Sequence, residues 1–330
     1  MCARLSRRAA LVGAAALALG GLAGPAAAAD AYPGKPIRLI VPFAAGGPTD
    51  IMGRVVGRLL QDALKQTVVV ENRPGAGGNL GTDAVLKSPP DGYTLGLSAI
   101  SSLAIAPGLY PKLPYDVARD VAPITLVGIA KGAIVAHPSV PFSDLKGLIA
   151  YAKANPGKLS YASPGIGTSS HLASEYLQSR VGIDLQHIPY KGTSAAAQDL
   201  LAGTVPLSFE SSLTTAAPNV ASGRLKAIAI TAHGRSKLLP NVPTVEEQGV
   251  ADFDVPTWFG LIGPAGLPRE IVQQLNRVVT EGLKSPEVTE RFAQIGAEPL
   301  PSTPERFAAY LRDEGQRWAR VIQAANIKPE

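Results

Sequence analysis

Apolar residues along this chain switch between two periods, and the switches are regular. Ile37–Val41, apolar apart from Arg38 and bounded by Pro36 and Pro42, reads as a buried strand. Pro48 follows Gly46-Gly47 at a first helical position. Ile51, Met52, Val55, Val56, Leu59 and Leu60 then recur at helical spacing through about Lys65. Thr67–Glu71 predicts a second strand, residues 79–87 a second helix, and Tyr93–Leu97 a third strand after the turn at Asp91-Gly92. This βαβαβ order predicts a mostly parallel sheet with helices on both faces.

Ala122–Ala130 and Ala133–Ala136 read as long strands that carry the chain out of a first lobe. A helix opens at Ser143-Asp144-Leu145 and ends at Asn155-Pro156-Gly157. Strand Leu159–Ser163, loop Pro164–Thr168 and a helix from Ser169 follow, with Leu172, Tyr176 and Leu177 on one face. Next come strand His187–Tyr190, helix Ser194–Leu201, strands Val205–Phe209 and Leu225–Thr231, and a short helix at Val245–Gln248. Pro256–Gly263 reads as a return strand. Three amphipathic helices finish the chain, with Pro268, Pro286 and Pro304 at their starts. The predicted organisation is α/β and two-lobed. Residues 30–130 and 257–330 form lobe 1 and residues 131–256 lobe 2, joined by two crossings that act as a hinge.

Two stretches share one grammar. Ile37–Val41 leads through Gly46-Gly47 into a helix carrying Thr49 and Asp50 in its first turn. Leu159–Ser163 leads through Gly165 and Gly167 into a helix that begins at Thr168-Ser169. A strand, a glycine loop and a helix start together aim unpaired N–H groups and the positive end of the helix dipole at an anion. Facing each other from two lobes, such loops would grip a carboxylate from both sides. Either loop alone reads better as an ordinary cap, and Asp50 equally as a complement to the helix dipole.

Composition narrows the classes. Residues 1–29 carry Arg4, Arg7 and Arg8, then an Ala/Leu/Gly-rich run and Ala27-Ala28-Ala29, the pattern of a cleaved signal peptide. Ser6-Arg7-Arg8 fits twin-arginine export less well than general secretion, because Ala9-Ala10 replaces the bulky residue expected there. Cys2 falls within that segment, which leaves the mature chain with no thiol chemistry and no disulfide. Without the three signal arginines, 28 basic residues stand against 26 acidic ones, and no basic stripe points to nucleic acid. His137, His171, His187 and His233 show no ligand spacing, so neither a metal nor another cofactor is expected.

Gly75-Ala76-Gly77-Gly78-Asn79-Leu80-Gly81 has Leu80 where a dinucleotide fingerprint needs glycine, and no Walker lysine follows. His171 beside Ser169 and Ser170 invites a hydrolase reading. No G-x-S-x-G elbow surrounds any serine, so an exported hydrolase of carboxylic esters or amides is the alternative rather than the expectation.

The order of motifs over the mature chain resembles one family. Tyr32–Asp50, Glu71–Gly78, Pro90–Leu95, Leu113–Asp116, Ser163–His171, His187–Gly192, Asp199–Gly203, Pro240–Thr244 and Trp258–Leu261 are similar to the Bug receptors, the substrate-binding components of tripartite tricarboxylate transporters. The resemblance implies a type II-like periplasmic binding protein. It would be a monomer without enzymatic activity that closes like a Venus flytrap on a small carboxylate. The closed form would deliver its ligand to membrane permease subunits, with a sensor kinase as a further partner. Carried over by position, Phe43 would wall the pocket. Gly47, Thr49 and Asp50 would belong to one loop, and Gly167, Thr168 and Ser169 to the other. Ser98, Ser101, Ser163, Tyr190 and Glu210 complete the expected ligand-facing set. This chain departs from the family at Phe209-Glu210-Ser211, often Phe-Asp-Asn, and at Ser98–Pro107, which lacks the usual histidine and asparagine. Both lie where ligand identity is decided, and the apolar Phe43, Ile100 and Leu103 make an aromatic or medium-chain acid one candidate.

Overall fold

The computed structural model describes residues 32–329, so the expected signal peptide at 1–29 lies outside the described residues. From Lys35 onward the chain forms one compact unit built on two sheets. The first holds β1 (Ile37–Val41), β2 (Val68–Asn72), β3 (Thr94–Ala99), β4 (Val121–Ala130), β10 (Thr257–Pro264) and β11 (Ala297–Pro299), in the order β11-β4-β10-β3-β1-β2. The second holds β5 (Ala133–Ala136), β6 (Ser160–Ser163), β7 (Gln186–Pro189), β8 (Leu207–Glu210) and β9 (Lys226–Ile230), in the order β7-β6-β8-β5-β9.

The apolar run of β1 is explained by its place. Ile37, Leu39, Ile40 and Val41 are all fully buried, because β1 lies inside the sheet between β2 and β3. Helix α1 (Pro48–Leu64) lays Met52, Val56 and Leu60 on that sheet. Gly53 and Gly57 share this face and let the helix come close. A Cβ at Gly53 would sit 2.5 Å from Val41 Cγ2.

Helices α2 (Asn79–Leu86), α3 (Leu145–Ala154), α4 (Ser169–Val181), α5 (Thr193–Leu201) and α6 (Ala216–Ala221) follow in order. Then come α7 (Arg269–Gly282), α8 (Pro286–Ala293) and α9 (Pro304–Ala324). Side chains of Asp144, Thr168, Ser285 and Thr303 cap the starts of α3, α4, α8 and α9. The long α9 buries Phe307, Leu311, Trp318 and Ile322, and Trp258 of β10 is fully enclosed against Phe307 and Tyr310.

Three details differ from expectation. First, the sheets are mixed rather than mostly parallel. Pairing is parallel within each βαβ run, as for β1 with β2 and β3, or β6 with β7 and β8. The strands that leave or re-enter a sheet, β4, β5 and β10, pair antiparallel, because a chain that exits at one edge must return in the opposite direction. Second, the predicted helix at 245–248 is a turn. Thr244 and Glu247 form a reciprocal capping box, with N–H to side-chain distances of 2.8 and 2.9 Å, but Gly249 at φ +100° stops it at once. Third, Ser101–Ile105 forms a π-helical turn and Ala216–Ala221 a helix, neither of which the pattern predicts.

Only Lys131 and Gly132 separate β4 from β5. Gly132 is forced by space, since a Cβ there would lie 2.3 Å from the Glu210 carbonyl oxygen. Lys131 Nζ donates to the carbonyls of His233, Gly234 and Arg235 at 2.8, 3.0 and 3.2 Å, which ties this crossing to the segment leading to β10.

Candidate functional site

Three strand-to-helix loops meet at one cavity. The loop after β1 contributes Phe43, Ala44, Gly47, Pro48 and Thr49; the loop after β6 contributes Pro164, Thr168 and Ser169; the loop after β7 contributes Gly192, Thr193 and Ser194. Ala99, Ile100 and Ser101 close it from the end of β3, Thr257 and Phe259 from β10, and Ser211 from beyond β8. None of these residues is charged.

Each loop is held in shape by its own contacts. The Asp50 carboxylate accepts from Gly46 N at 2.9 Å, Asn72 Nδ2 at 2.9 Å and Arg54 Nε at 3.0 Å. Burial alone would raise this carboxyl, but the hydrogen bonds from Arg54, Gly46 and Asn72 outweigh it and hold the group below the usual carboxylate range. In the second loop Thr168 Oγ1 donates to Gly165 O at 2.7 Å and caps the His171 N–H at 3.4 Å. Gly167 N donates to His171 Nδ1 at 3.3 Å.

Helix geometry leaves the first N–H groups without partners inside the helix. Gly47 and Gly192, the residues preceding α1 and α5, offer no side chain to take them up, and Thr168 takes up one in α4. The cavity thus has main-chain donors and helix-dipole fields from three directions. Ser101 adds a hydroxyl that is 3% exposed and whose Oγ has no hydrogen-bond partner among the described residues. The arrangement suits a small anion with an apolar body.

The two sheets' loops touch. A Cβ at Gly77 would stand 2.5 Å from the Ile166 carbonyl oxygen, and one at Gly192 3.4 Å from Ala44 Cβ. Ser169 Oγ and Thr257 Oγ1, from α4 and β10, lie 2.6 Å apart and buried.

Residues 52–327 match the family described as tripartite tricarboxylate transporter family receptor. The chain belongs to that family. Protein BugT of Bordetella pertussis is 43% identical over 94% of this chain and 95% of its own. Among solved structures, the periplasmic binding protein BugD superposes with a TM-score of 0.85 at 38% identity, covering 91% of this chain and 100% of that one. R. palustris Rpa4515 with adipate does so with a TM-score of 0.86 at 31% identity, covering 91% and 100%. The two-lobed α/β fold expected from sequence is the fold of these periplasmic binding proteins.

Of the residues predicted to face ligand in this receptor, Phe43, Gly47, Thr49, Ser101, Thr168 and Ser169 line the cavity. The others stand behind or beside it. Asp50 anchors the first loop. Ser98 Oγ pairs with Thr82 Oγ1 at 3.0 Å beneath the π-helical turn. Ser163 Oγ lies 2.7 Å from His187 Nε2 and accepts from Gly165 N at 3.1 Å. Gly167 packs against Leu109 and Tyr110. The Tyr190 hydroxyl donates to Asp199 at 2.6 Å. Glu210 is buried and accepts from Ser208 Oγ at 2.7 Å and Thr215 Oγ1 at 3.2 Å.

Of the third loop, Tyr190 was predicted to face ligand, but its lining residues Gly192, Thr193 and Ser194 were not. Its signal was available, since Pro189-Tyr190-Lys191-Gly192-Thr193-Ser194 repeats the strand, glycine, hydroxyl and helix order of the other two. Thr257 and Phe259 carry no local signal. They reach the cavity only because β10 returns between β3 and β4.

Glu210 gives a pH signature. Burial pushes its carboxyl up to about 7 from an ordinary 4.5, against the opposing hydrogen bonds from Ser208 and Thr215. Over that range the folded chain keeps a proton that the unfolded chain has released. Stability therefore falls as pH rises from 4.5 to about 7, by about 3 kcal/mol from this group. Glu210→Gln should flatten that slope and be the more stable form above neutral pH, as read by urea unfolding across pH. An unchanged slope in the variant would assign the effect elsewhere.

Proposed function

We propose that this receptor works in the periplasm after export, capturing a small carboxylate between its lobes and delivering it to permease subunits of a tripartite tricarboxylate transporter. It does so as a monomer and without a catalytic step. Residues 30–130 and 257–330 form the lobe built on the first sheet, and residues 131–256 the lobe built on the second. The convergence of three under-capped helix starts on a cavity with no charged side chain carries this reading. A carboxylate there accepts from main-chain N–H groups and from the hydroxyls of Thr49, Ser169 and Ser101. Because the donors belong to both lobes, the ligand favours the closed form by population shift. The closed surface is what the permease, and a sensor kinase where one is present, recognises. The adipate held by Rpa4515 supports a carboxylic acid as the ligand class.

The absence of a catalytic step is supported by where the serine–histidine pair sits. Ser163 is fully buried outside the cavity lining. Burial lowers the His187 ring to about 4, and the ring stacks between Tyr161 and His171 at 4.8 and 4.5 Å.

Thermal unfolding of residues 30–330 against small carboxylic acids and their methyl esters tests the reading. A ligand at about a hundred times its Kd adds about 2.7 kcal/mol, a rise of several degrees for a chain of this size. The acid should raise the midpoint and its ester should not, and Ser101→Ala should shrink the shift. An ester that stabilises equally, or is consumed, would overturn it.

A further inference from the structure

Two stacked histidines hold the second glycine loop. The His171 and His187 rings stand 4.5 Å apart and nearly parallel, and Tyr161 stacks on His187 at 4.8 Å. The stack joins β6 through Tyr161, β7 through His187 and α4 through His171. Neither imidazole lines the cavity, yet each reaches the loop. Gly167 N donates to His171 Nδ1 at 3.3 Å. His187 Nε2 lies 2.7 Å from Ser163 Oγ, which accepts from Gly165 N at 3.1 Å and lies 3.2 Å from Gly165 O.

Gly165 at φ +143° and Gly167 at φ +73° turn the loop through angles that a free glycine adopts and leaves with equal ease. Outside contacts must therefore set its shape. Three of its N–H groups are taken: that of Gly165 by Ser163, that of Gly167 by His171, and that of Thr168 by the Gly165 carbonyl at 3.3 Å. Thr168 Oγ1 takes the N–H of His171. What α4 keeps available for an anion is its first two N–H groups, those of Ser169 and Ser170. Without His171 Nδ1 the Gly167 N–H would lose its acceptor, and the shortest relief is a turn of the 166–167 peptide that displaces the helix start following it. Burial pushes the His187 ring down to about 4, so it is neutral near pH 7, and a neutral ring offers one donor and one acceptor. We infer, building on the receptor reading above, that His171 and His187 are positioning residues of the anion site. Acting through Gly167 and Ser163, they fix the loop so that the start of α4, and not the loop, presents N–H groups to the ligand.

The test is a crossed set of isosteres. Asparagine places its amide near the Nδ1 position of histidine, and glutamine places its amide near the Nε2 position. His171→Asn and His187→Gln should therefore keep the loop, whereas His171→Gln and His187→Asn should release it, although all four lose the same ring stacking. Ser163→Ala, which alters neither ring, should free the Gly165 amide alone. Amide exchange followed by NMR on the mature chain without ligand reads the loop directly. Gly167 in His171→Gln, and Gly165 in His187→Asn, should exchange about tenfold faster than in the wild type. A long-range proton–nitrogen spectrum should show His171 Nδ1 unprotonated. Acetate, as the smallest carboxylate probe, should shift the Ser169 and Ser170 amides, and the two released variants should need about tenfold more of it. Exchange that quickens in all four histidine variants alike, or in none, overturns the assignment, as does an equal acetate response across them. Wild-type amides that ignore acetate would overturn the carboxylate anchor at α4, while the exchange rates still decide whether the rings set the loop.

Discussion

Gly77→Ala is expected to lower ligand affinity about a hundredfold, equivalent to about 2.7 kcal/mol, while the empty protein keeps its fold. The added Cβ would sit 2.5 Å from the carbonyl oxygen of Ile166, a main-chain atom that cannot swing aside. Gly77 follows β2 of the first sheet, and Ile166 follows β6 of the second. In the proposed receptor this contact would belong to the closed form, and opening would relieve it. A ligand that binds only the closed form then loses affinity by the factor by which closure is disfavoured. Gly77 also has φ +62°, so alanine carries about 1 kcal/mol of backbone strain in either form. Gly182→Ala supplies the control, because Gly182 has φ +64° with nothing within 4 Å of its would-be Cβ. Calorimetry should show wild-type affinity in Gly182→Ala and a large loss in Gly77→Ala. Small-angle scattering of Gly77→Ala with ligand should stay that of the open form. Equal affinities in the two variants would show that the Gly77–Ile166 contact does not limit closure.

Glu314→Ala should be the most damaging single change to stability, costing about 4 kcal/mol and lowering the melting midpoint by about 8 °C. Glu314 is 6% exposed, and its Oε2 accepts from the indole nitrogens of Trp258 at 2.8 Å and Trp318 at 3.2 Å. Oε1 accepts from Arg317 Nη1 at 3.2 Å, and Arg317 Nη2 reaches the Asp254 carbonyl. Alanine leaves two buried indole N–H groups unpaired and opens a hole between β10 and α9. Glu314→Gln keeps an acceptor oxygen and should recover about half the loss. Matched midpoints for the alanine and glutamine variants would show that lost volume, rather than the orphaned donors, sets the cost. The network bears on function as well, because Trp258 is next in sequence to Thr257, which lines the cavity.

What was legible in the sequence follows from what is local. β1 and α1 were readable because their burial pattern is periodic and their ends are marked by Pro36, Pro42 and Pro48. Both glycine loops were readable for the same reason, and with them half of the residues predicted to face ligand. Asp50 could not be placed, because a first-turn acid looks the same whether it meets ligand, the dipole or a loop N–H. Gly46 N, Asn72 and Arg54 claim it here. The contribution of β10 depends on a pairing between residues far apart in the chain. Ser98 and Ser101 were predicted alike, yet Ser98 pairs with Thr82 under the π-helical turn while Ser101 lines the cavity. Three residues of separation decide burial behind the wall or exposure at it, and apolar patterning does not resolve that.

A recognition site assembled from main-chain donors has a particular evolutionary behaviour. Because no lysine or arginine lines this cavity, no single side-chain replacement would delete the anchor for the carboxylate in the proposed site. Substitutions at Ala99, Ile100, Ser211 or Phe259 would alter the far wall and leave that anchor standing. Ligand preference can thus drift in small steps through intermediates that all still hold an acid. The same separation makes these four positions the natural library for redirecting the protein as a sensor for other carboxylates.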